Sequence, residues 1–269
     1  MPSALPLLLE PEQLERHLGE ADLLIVDLSR EEHYLDNHIP GAVFVSPAEI
    51  MSGLRPAVGK LISQERLRQL VNRLGLTPKS RVVVCDDEGG GWAGRFIWTL
   101  DVFGHRHWSY LNGGMVAWRN EGFPVTDEVP NITASDNQIN LDLSPIAEVD
   151  DILSNLGKED FVVWDARSEE EYNGVRSLAA RAGHIPGAVH CEWTSLMDAD
   201  RNLRIRQDAD SYLASRGLTR DKIIATHCHS HHRSGFTYLV ARILGYSRIK
   251  AYHGSWSEWG NLPDTPIEH

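Results

Sequence analysis

The sequence has few cysteines, and no two of them lie close enough in the chain to form a Cys-x-x-Cys motif. Its 269 residues include only Cys85, Cys191 and Cys228. An odd number without any Cys-x-x-Cys pair argues against a disulfide framework and against a structural zinc site. In a reducing compartment, a lone cysteine in a loop is more often reactive than structural. Cys85 lies in an apolar strand pattern and Cys191 follows a turn motif, so Cys228 is the candidate for chemistry.

The sequence also lacks an excess of positive charge and a long hydrophobic run. The formal net charge of −12 at pH 7 disfavours nucleic acids and anionic membranes as partners. No apolar run reaches the length of a membrane span. The short run Leu5–Leu9 has no basic leader and is followed directly by Glu10, Pro11 and Glu12, so no signal peptide is predicted. These features predict a cytoplasmic protein without nucleic-acid or membrane partners.

Two halves of the chain repeat each other in order and composition. The motif His-Ile-Pro-Gly-Ala-Val occurs at 38–43 and again at 184–189. Each copy follows an apolar strand pattern that ends in an aspartate, Asp27 in the first half and Asp165 in the second. Short apolar strands alternate with helical patterns in both halves. The sequence therefore predicts an α/β fold of two tandem domains, each with a mostly parallel sheet flanked by helices.

The two predicted domains differ where the second one has its loop cysteine. We expect an N-terminal domain at 1–125, a polar linker at 126–143 and a C-terminal domain at 144–269. Aligning the later strands at an offset of 141 places Asp87 at the position of Cys228. A carboxylate in a loop that should receive an anion would repel it. We therefore predict that the N-terminal domain is catalytically inactive and that the C-terminal domain carries the activity.

Cys228 lies in a predicted turn between a strand and a helix. A β-type run at 223–226 precedes the loop, and apolar residues recur with helical spacing from Phe236 onward. A helix N-terminus gathers backbone N–H groups around an anion and lowers the pKa of a nearby thiol. Arg233, next to the predicted helix start at Ser234, adds a positive charge. The loop is thus predicted to hold a reactive thiolate in an anion nest.

Other chemistries stay open from the loop residues alone. Cysteine phosphatases and arsenate reductases of related fold use a Cys-x5-Arg loop, whereas Cys228 and Arg233 enclose four residues. A smaller ring of N–H groups suits a single sulfur better than a tetrahedral phosphate. The histidines at 227, 229, 231 and 232 could bind a metal together with Cys228, although adjacent loop residues rarely converge on one ion. A non-catalytic sulfur carrier is a further alternative.

The duplicated domains, the repeated His-Ile-Pro-Gly-Ala turn and the single cysteine loop resemble the tandem-domain rhodaneses, or thiosulfate sulfurtransferases. The loop is most similar to the bacterial form with Cys-x-x-His-His-Arg. This resemblance implies that Cys228 carries a persulfide, which moves sulfane sulfur from thiosulfate or a similar small anionic donor to cyanide, a thiol or a protein acceptor. It implies no cofactor and no metal, because sulfite is already a good leaving anion. Thiosulfate is expected rather than 3-mercaptopyruvate.

The resemblance also suggests which side chains surround the nucleophile Cys228. Family members often carry two arginines near an Asp-x-Arg motif. Arg167 matches the first of these, but the second position is Glu171. Arg167 could instead pair with Asp165, and Trp193 could form either a pocket wall or plain core. The predicted substrate-binding residues are Arg233, His229, Ser230, His231, His232, Arg167 and Trp193.

Overall fold

The N-terminal half forms a five-stranded parallel sheet with helices on its faces. The computed structural model describes residues 5–138 and 140–269. The strands are β1 (Leu8–Leu9), β2 (Leu23–Asp27), β3 (Ala42–Phe44), β4 (Arg81–Cys85) and β5 (Trp108–Leu111). The helices are α1 (Pro11–Glu15), α2 (Glu31–Asp36), α3 (Gln64–Arg73), α4 (Gly91–Phe103) and α5 (Gly114–Asn120). Strand order in the sheet is β1-β5-β4-β2-β3.

The C-terminal half repeats this arrangement. Its strands are β6 (Ile146–Ala147), β7 (Phe161–Asp165), β8 (Val189–His190), β9 (Met197–Asp198), β10 (Arg204–Ile205), β11 (Ile223–His227) and β12 (Ile249–Tyr252). Its helices are α6 (Val149–Leu153), α7 (Glu169–Tyr172), α8 (Ala209–Ser215), α9 (Arg233–Ile243) and α10 (Ser255–Trp259). The main sheet has the order β6-β12-β11-β7-β8, and β9 and β10 form a small antiparallel pair. The predicted fold class is confirmed.

The central strands read as continuous apolar runs because helices cover both sheet faces. Val82, Val83 and Val84 of β4 are fully buried, and so are Ile224 and Ala225 of β11. A strand with one solvent-exposed face alternates apolar and polar residues, whereas a strand buried on both faces is apolar throughout. Every strand neighbour in the two five-stranded sheets is parallel. The carboxyl ends of each set of strands therefore meet at one edge, which is where loop side chains can converge.

The two halves pack against each other through α4 and α9. One hydrophobic core joins residues from both halves, including Trp98 of α4 and Phe236 of α9. A buried carboxylate, Asp101 of α4, accepts hydrogen bonds from Trp108 Nε1 at 2.9 Å and from the Tyr238 hydroxyl of α9 at 2.8 Å. The interface thus combines apolar contact with a satisfied buried polar group. This packing brings the carboxyl-edge loops of the two sheets together.

The segment predicted as a linker runs along the N-terminal half. Thr126 forms an isolated bridge with His38. Further along, the Ser135 N–H donates to the Asn72 carbonyl at 2.9 Å, and the Asn137 amide donates to the Leu76 carbonyl at 2.7 Å. The described part of 126–143 contains no helix and no strand. The domain boundaries at 125 and 144 stay predictions.

Within the described ranges, no helix combines the length and the apolar character needed to cross a lipid bilayer.

Candidate active site

Cys228 is the first residue after β11 and lies five positions before Arg233, the first residue of α9. The loop between them sits at the carboxyl edge of the second sheet. In open α/β sheets this edge, outside the carboxyl ends of the strands, is the usual place for ligand binding. The predicted strand–loop–helix arrangement is present, with the helix starting one residue earlier than expected.

The backbone of the loop is held in an unusual shape by Ser255. His231 has a φ of 55°, in the left-handed region, and its side chain is fully buried. A non-glycine residue in this region costs roughly 1–3 kcal/mol and persists where its surroundings impose it. The N–H groups of His231 and Cys228 both donate to Ser255 Oγ, at 3.1 and 3.4 Å. Ser255 thus supports the candidate loop, and no sequence motif indicated it.

The surroundings of Cys228 favour its thiolate. Burial raises the pKa of this thiol, but the charge of Arg233, hydrogen bonds from Ser234 and the charge of His232 lower it, and the net pKa lies below its usual value. The Ser234 hydroxyl lies 3.5 Å from Cys228 Sγ. Only about 1% of the Cys228 surface is exposed. The sulfur is therefore an ionisable nucleophile held in a nearly dry loop.

The other two cysteines have the opposite balance. Burial raises the pKa of the Cys85 thiol well above its ordinary value, and neighbouring carboxylates raise it further. Burial also raises the pKa of Cys191, and its hydrogen bond with Ser195 lowers that pKa only in part. Arg119 near Cys85 and Arg216 near Cys191 lower these two pKa values only in part. Both behave as small buried apolar side chains, and Cys228 is the one cysteine suited to nucleophilic chemistry.

The guanidinium of Arg233 is shared with a carboxylate. Its Nη1 and Nη2 donate to Glu171 Oε2 and Oε1, at 2.5 and 3.0 Å. Burial raises the pKa of Glu171, but its hydrogen bond and charge interaction with Arg233 lower it overall. Arg233 lies where the sequence predicted a cation beside the thiol. The ion pair with Glu171 was not foreseen.

Arg167 is enclosed by structural contacts. Its guanidinium bonds to Asp165 Oδ2 at 2.6 Å and to the Gly183 carbonyl at 2.8 Å, and its Cζ lies 4.3 Å from the ring centroid of Trp256. Only about 1% of Arg167 is exposed. These contacts favour the pairing with Asp165, which the sequence left open, over a contact with substrate. The substrate-binding role of Arg167 stays a prediction.

The loop histidines have three different environments. His229 is partly buried, and its Nδ1 has no hydrogen-bond partner among the residues that the structure describes. His231 points into the core, where its ring meets Trp98 edge-on at 4.6 Å and its Nδ1 lies 2.8 Å from Ser234 Oγ. His232 faces the other half of the protein. Of the three, His229 and His232 are partly exposed, whereas His231 is fully buried.

The first half contributes directly to the walls of the site. His232 Nε2 contacts Glu88, and its ring stacks on Trp92 with centroids 4.1 Å apart. Trp193, from the second half, lies 5.6 Å from the same ring. Trp193 is partly buried, so the structure brings it to the loop as predicted and leaves part of it accessible. Ser230 is also covered from the first half, because a Cβ on Gly59 would lie 2.1 Å from its carbonyl oxygen.

Arg95, in α4, is a buried cation that sequence patterns did not mark. Its Nη1 and Nη2 donate to the carbonyls of Gly59 and Ile50, both at 2.7 Å. Among the described residues, no carboxylate lies within ion-pair distance of it, unlike the other buried arginines. Burial lowers the pKa of Arg95 to about 9, and the charge of Cys228 acts in the opposite direction. This guanidinium adds an uncompensated positive charge near the thiol.

The first-half counterpart of Cys228 is Asp86, and the predicted correspondence with Asp87 is wrong. β4 ends opposite the last residue of β2, and β11 ends opposite the last residue of β7. The residues that follow β4 and β11 are therefore equivalent, which pairs Asp86 with Cys228. The first loop is one residue longer, so β4 and β11 match at an offset of 142, whereas Gly94 of α4 and Gly235 of α9 match at 141. Anchoring the alignment on Gly94 and Gly235 of the helices shifted it by one.

The carboxylate of Asp86 occupies the position that an anion would take in this loop. It accepts hydrogen bonds from the N–H groups of Gly90 at 2.8 Å, Ala93 at 2.9 Å and Glu88 at 3.2 Å. Asp86 itself is fully buried. The anion nest of the first half is thus filled by the protein's own side chain. Asp87 instead points to His33, 2.5 Å away.

Two cavities lie at opposite edges of the first sheet. One of about 250 Å³ opens at the carboxyl edge and is lined by Ser29, Asp87, Glu88 and Trp92 among others. A larger one of about 970 Å³ lies at the amino ends of β4 and β5. Its position at the opposite strand ends separates it from the loop chemistry. Within residues 5–138 and 140–269, no group of three or more His, Cys, Asp or Glu side chains is arranged to hold a metal ion.

The fold and the site together define a tandem α/β protein that presents a cysteine thiolate in an anion-binding loop. A model of the Rhodanese-like domain family matches residues 10–121 and 148–262. The chain is 50% identical to a thiosulfate sulfurtransferase of Azotobacter vinelandii and 51% identical to one of Pseudomonas aeruginosa. Each match spans 99% of this chain and 98% of the relative. The protein belongs to the rhodanese family.

A solved structure supports the fold independently. The anaerobic ergothioneine biosynthesis enzyme from Chlorobium limicola superimposes with a TM-score of 0.86 at 23% sequence identity. The superposition covers 97% of this chain and 70% of that chain. At this identity the likeness concerns the fold, which agrees with the two parallel sheets described above.

Proposed function

We propose that this protein is a thiosulfate sulfurtransferase that works through a persulfide on Cys228. The environment of the Cys228 thiol is the main support for this proposal. The thiol is almost fully buried and lies at a helix N-terminus, and Arg233 and Ser234 lower its pKa against the effect of burial. A thiolate is the form of cysteine that attacks sulfur. The family match and the two relatives named thiosulfate sulfurtransferase, similar over nearly their whole length, support the same activity.

The reaction needs two displacement steps. In the first, the Cys228 thiolate attacks the outer sulfur of thiosulfate, a new S–S bond forms, and sulfite leaves with the electron pair of the broken bond. In the second, cyanide or a thiolate attacks the terminal sulfur, and Cys228 departs again as a thiolate. A nucleophile that is regenerated in this way defines ping-pong kinetics. Each step forms one bond to the transferred sulfur and breaks another, and the leaving group takes the electron pair. No external oxidant or reductant is therefore required.

The loop residues have separate roles in this scheme. Backbone N–H groups and the Ser234 hydroxyl stabilise the thiolate and the terminal sulfur of the persulfide. Arg233 stabilises the sulfonate end of the donor by charge-assisted hydrogen bonds. His229 and His232 border the entrance, together with Trp193. Ser230 belongs to the loop backbone that the first half covers, and His231 supports the left-handed turn.

The two halves divide the work. The first half, 1–125 in our assignment, has no thiol at the equivalent position and fills its own anion nest with Asp86. We assign it a structural role as one wall of the cleft. The C-terminal half, 144–269, carries the nucleophile. The free cysteines fit a reducing compartment, so we place the protein in the cytoplasm.

Mass spectrometry after treatment with thiosulfate tests the proposal. We expect the mass of one sulfur atom to be added on Cys228 and removed by cyanide with release of thiocyanate. Cys228→Ser should gain no sulfur, whereas Cys85→Ser and Cys191→Ser should behave like the parent protein. Sulfur on another residue, or none, would contradict the mechanism. A persulfide without repeated turnover would indicate a sulfur carrier, and hydrolysis of an aryl phosphate well above background would indicate a phosphatase.

A further inference from the structure

Glu171 holds the guanidinium of Arg233 by both of its terminal nitrogens. The carboxylate is itself fixed, because it caps helix α7 and accepts a bond from the Ser168 N–H at 3.3 Å. Glu171 is about 7% exposed, and the Arg233 side chain about 20%. A partly buried, two-bond pair of this kind is short-range, oriented and little screened by salt. Part of the positive charge beside the nucleophile is therefore already compensated before any donor arrives.

Two further basic side chains at the loop also have carboxylate partners. Arg167 is paired with Asp165, and His232 contacts Glu88. Among the described residues near Cys228, Arg95 is the exception, since it bonds only to backbone carbonyls. The positive field at the mouth of the loop is thus weaker than the number of basic residues suggests.

This pairing affects donors according to their charge. Thiosulfate is a dianion, so its sulfonate must compete with Glu171 for the N–H groups of Arg233 and must also approach that carboxylate. An organic thiosulfonate carries the same transferable sulfur with one negative charge fewer. The repulsion from a fixed carboxylate scales with the charge of the incoming ion. Glu171 therefore weakens the binding of thiosulfate more than the binding of a singly charged donor.

We propose that Glu171 is a specificity-determining residue, which by occupying Arg233 reduces the preference of the site for dianionic over monoanionic sulfane-sulfur donors. This inference rests on the proposed sulfur transfer. It also gives the carboxylate beside the anion site a role, because Glu171 weakens the hold of Arg233 on a doubly charged donor. A purely structural pair between α7 and α9 would leave the relative use of the two donors unchanged.

The test compares kcat/KM for thiosulfate with kcat/KM for benzenethiosulfonate, both with cyanide as acceptor, in the parent protein and in Glu171→Gln. Glutamine keeps the size of the side chain and an oxygen for the Ser168 N–H. We expect the ratio to shift toward thiosulfate by about tenfold, mainly through a lower KM. Any change in the reactivity of the Cys228 thiol affects both donors and cancels in the ratio.

Glu170→Gln is the matched control, because this neighbour lies on the same helix, is exposed, and does not contact Arg233. Its ratio should stay within experimental error of the parent value. Glu171→Ala should reproduce the shift and serves if the glutamine variant does not fold. An unchanged or reversed ratio in the folded variants would overturn the inference. Because persulfide formation on Cys228 is measured separately in the parent protein, that result would not be confused with a failure of the proposed function.

Discussion

Gly94 of α4 and Gly235 of α9 touch through their backbones where the two helices cross. A Cβ on Gly94 would lie 2.3 Å from the Gly235 carbonyl oxygen, and a Cβ on Gly235 would lie 2.5 Å from the Arg95 nitrogen. No side chain fits between the helices at this point. Since α9 begins at the active loop, the crossing sets the distance between that loop and the first half of the protein.

Substitution of Gly94 by alanine should therefore force the helices apart. We expect the free energy of unfolding to fall by roughly 1–3 kcal/mol, the usual cost of an overpacked contact. Sulfur transfer should also slow, because Glu88 and Trp92 would move away from His232. Chemical denaturation and steady-state kinetics would measure the two effects. Parent-like stability in Gly94→Ala would contradict a close backbone contact at this crossing.

The reactivity of Cys228 should depend on pH in a way that reflects its lowered pKa. The thiolate is the reactive form, so a lowered pKa moves the midpoint of alkylation below that of an unperturbed thiol. Replacing Arg233 with methionine removes the main charge that opposes burial, and the midpoint should rise. Alkylation by iodoacetamide, followed across pH in a background without Cys85 and Cys191, measures this. An unchanged midpoint in Arg233→Met would exclude Arg233 as the stabilising cation.

Arg95 should influence the same thiol from the other half of the protein. Its buried charge has no carboxylate partner among the described residues, so its field reaches Cys228 without compensation. We expect Arg95→Met to raise the midpoint of Cys228 alkylation, less than Arg233→Met does, and Arg95→Lys to restore it in part. A variant that loses stability but keeps the parent midpoint would assign Arg95 a structural role alone.

Asp86 and Asp87 provide a direct comparison of neighbouring carboxylates. Asp86→Ala leaves the buried N–H groups of Gly90 and Ala93, and the partly buried N–H of Glu88, without this acceptor. Unsatisfied buried groups cost about 1–3 kcal/mol each. Asp87→Ala removes a contact with His33, which is more exposed and can turn to water. Thermal or chemical denaturation should show the larger loss for Asp86→Ala. Equal losses would contradict the assignment of Asp86 as the occupant of the first anion nest.

Local patterns were sufficient to predict the framework of the site. The repeated His-Ile-Pro-Gly-Ala motif and the apolar strands ending at Asp27 and Asp165 predicted two parallel sheets, because such periodicity reflects burial on both faces. The family match confirms the tandem arrangement. The position of Cys228 between a strand and a helix was also readable, since both elements are contiguous in sequence. The sequence left Trp193 open between a pocket wall and plain core, and the structure places it beside His232.

Long-range partners could not be predicted in this way. A one-residue difference in loop length hid the equivalence of Asp86 with Cys228, because a gap of that size leaves no trace in helical or strand periodicity. The pairing of Arg233 with Glu171 joins residues from two helices separated by the segment around β8–β11. Packing between distant segments decides how exposed a charged side chain is and which partner it finds. Its neighbours in the sequence do not.

The amino-acid sequence alone determined the order of elements, the duplication, and a nucleophile at the start of a helix, since each depends on residues close together in the chain. Tertiary structure decided which charges the nucleophile experiences. It paired Arg233 with Glu171, withdrew Arg167 into a buried contact with Asp165, and brought Arg95 toward the loop from the other half. Electrostatic interactions depend on distance in space and on burial, and only the packing of the two sheets and of α4 against α9 establishes both.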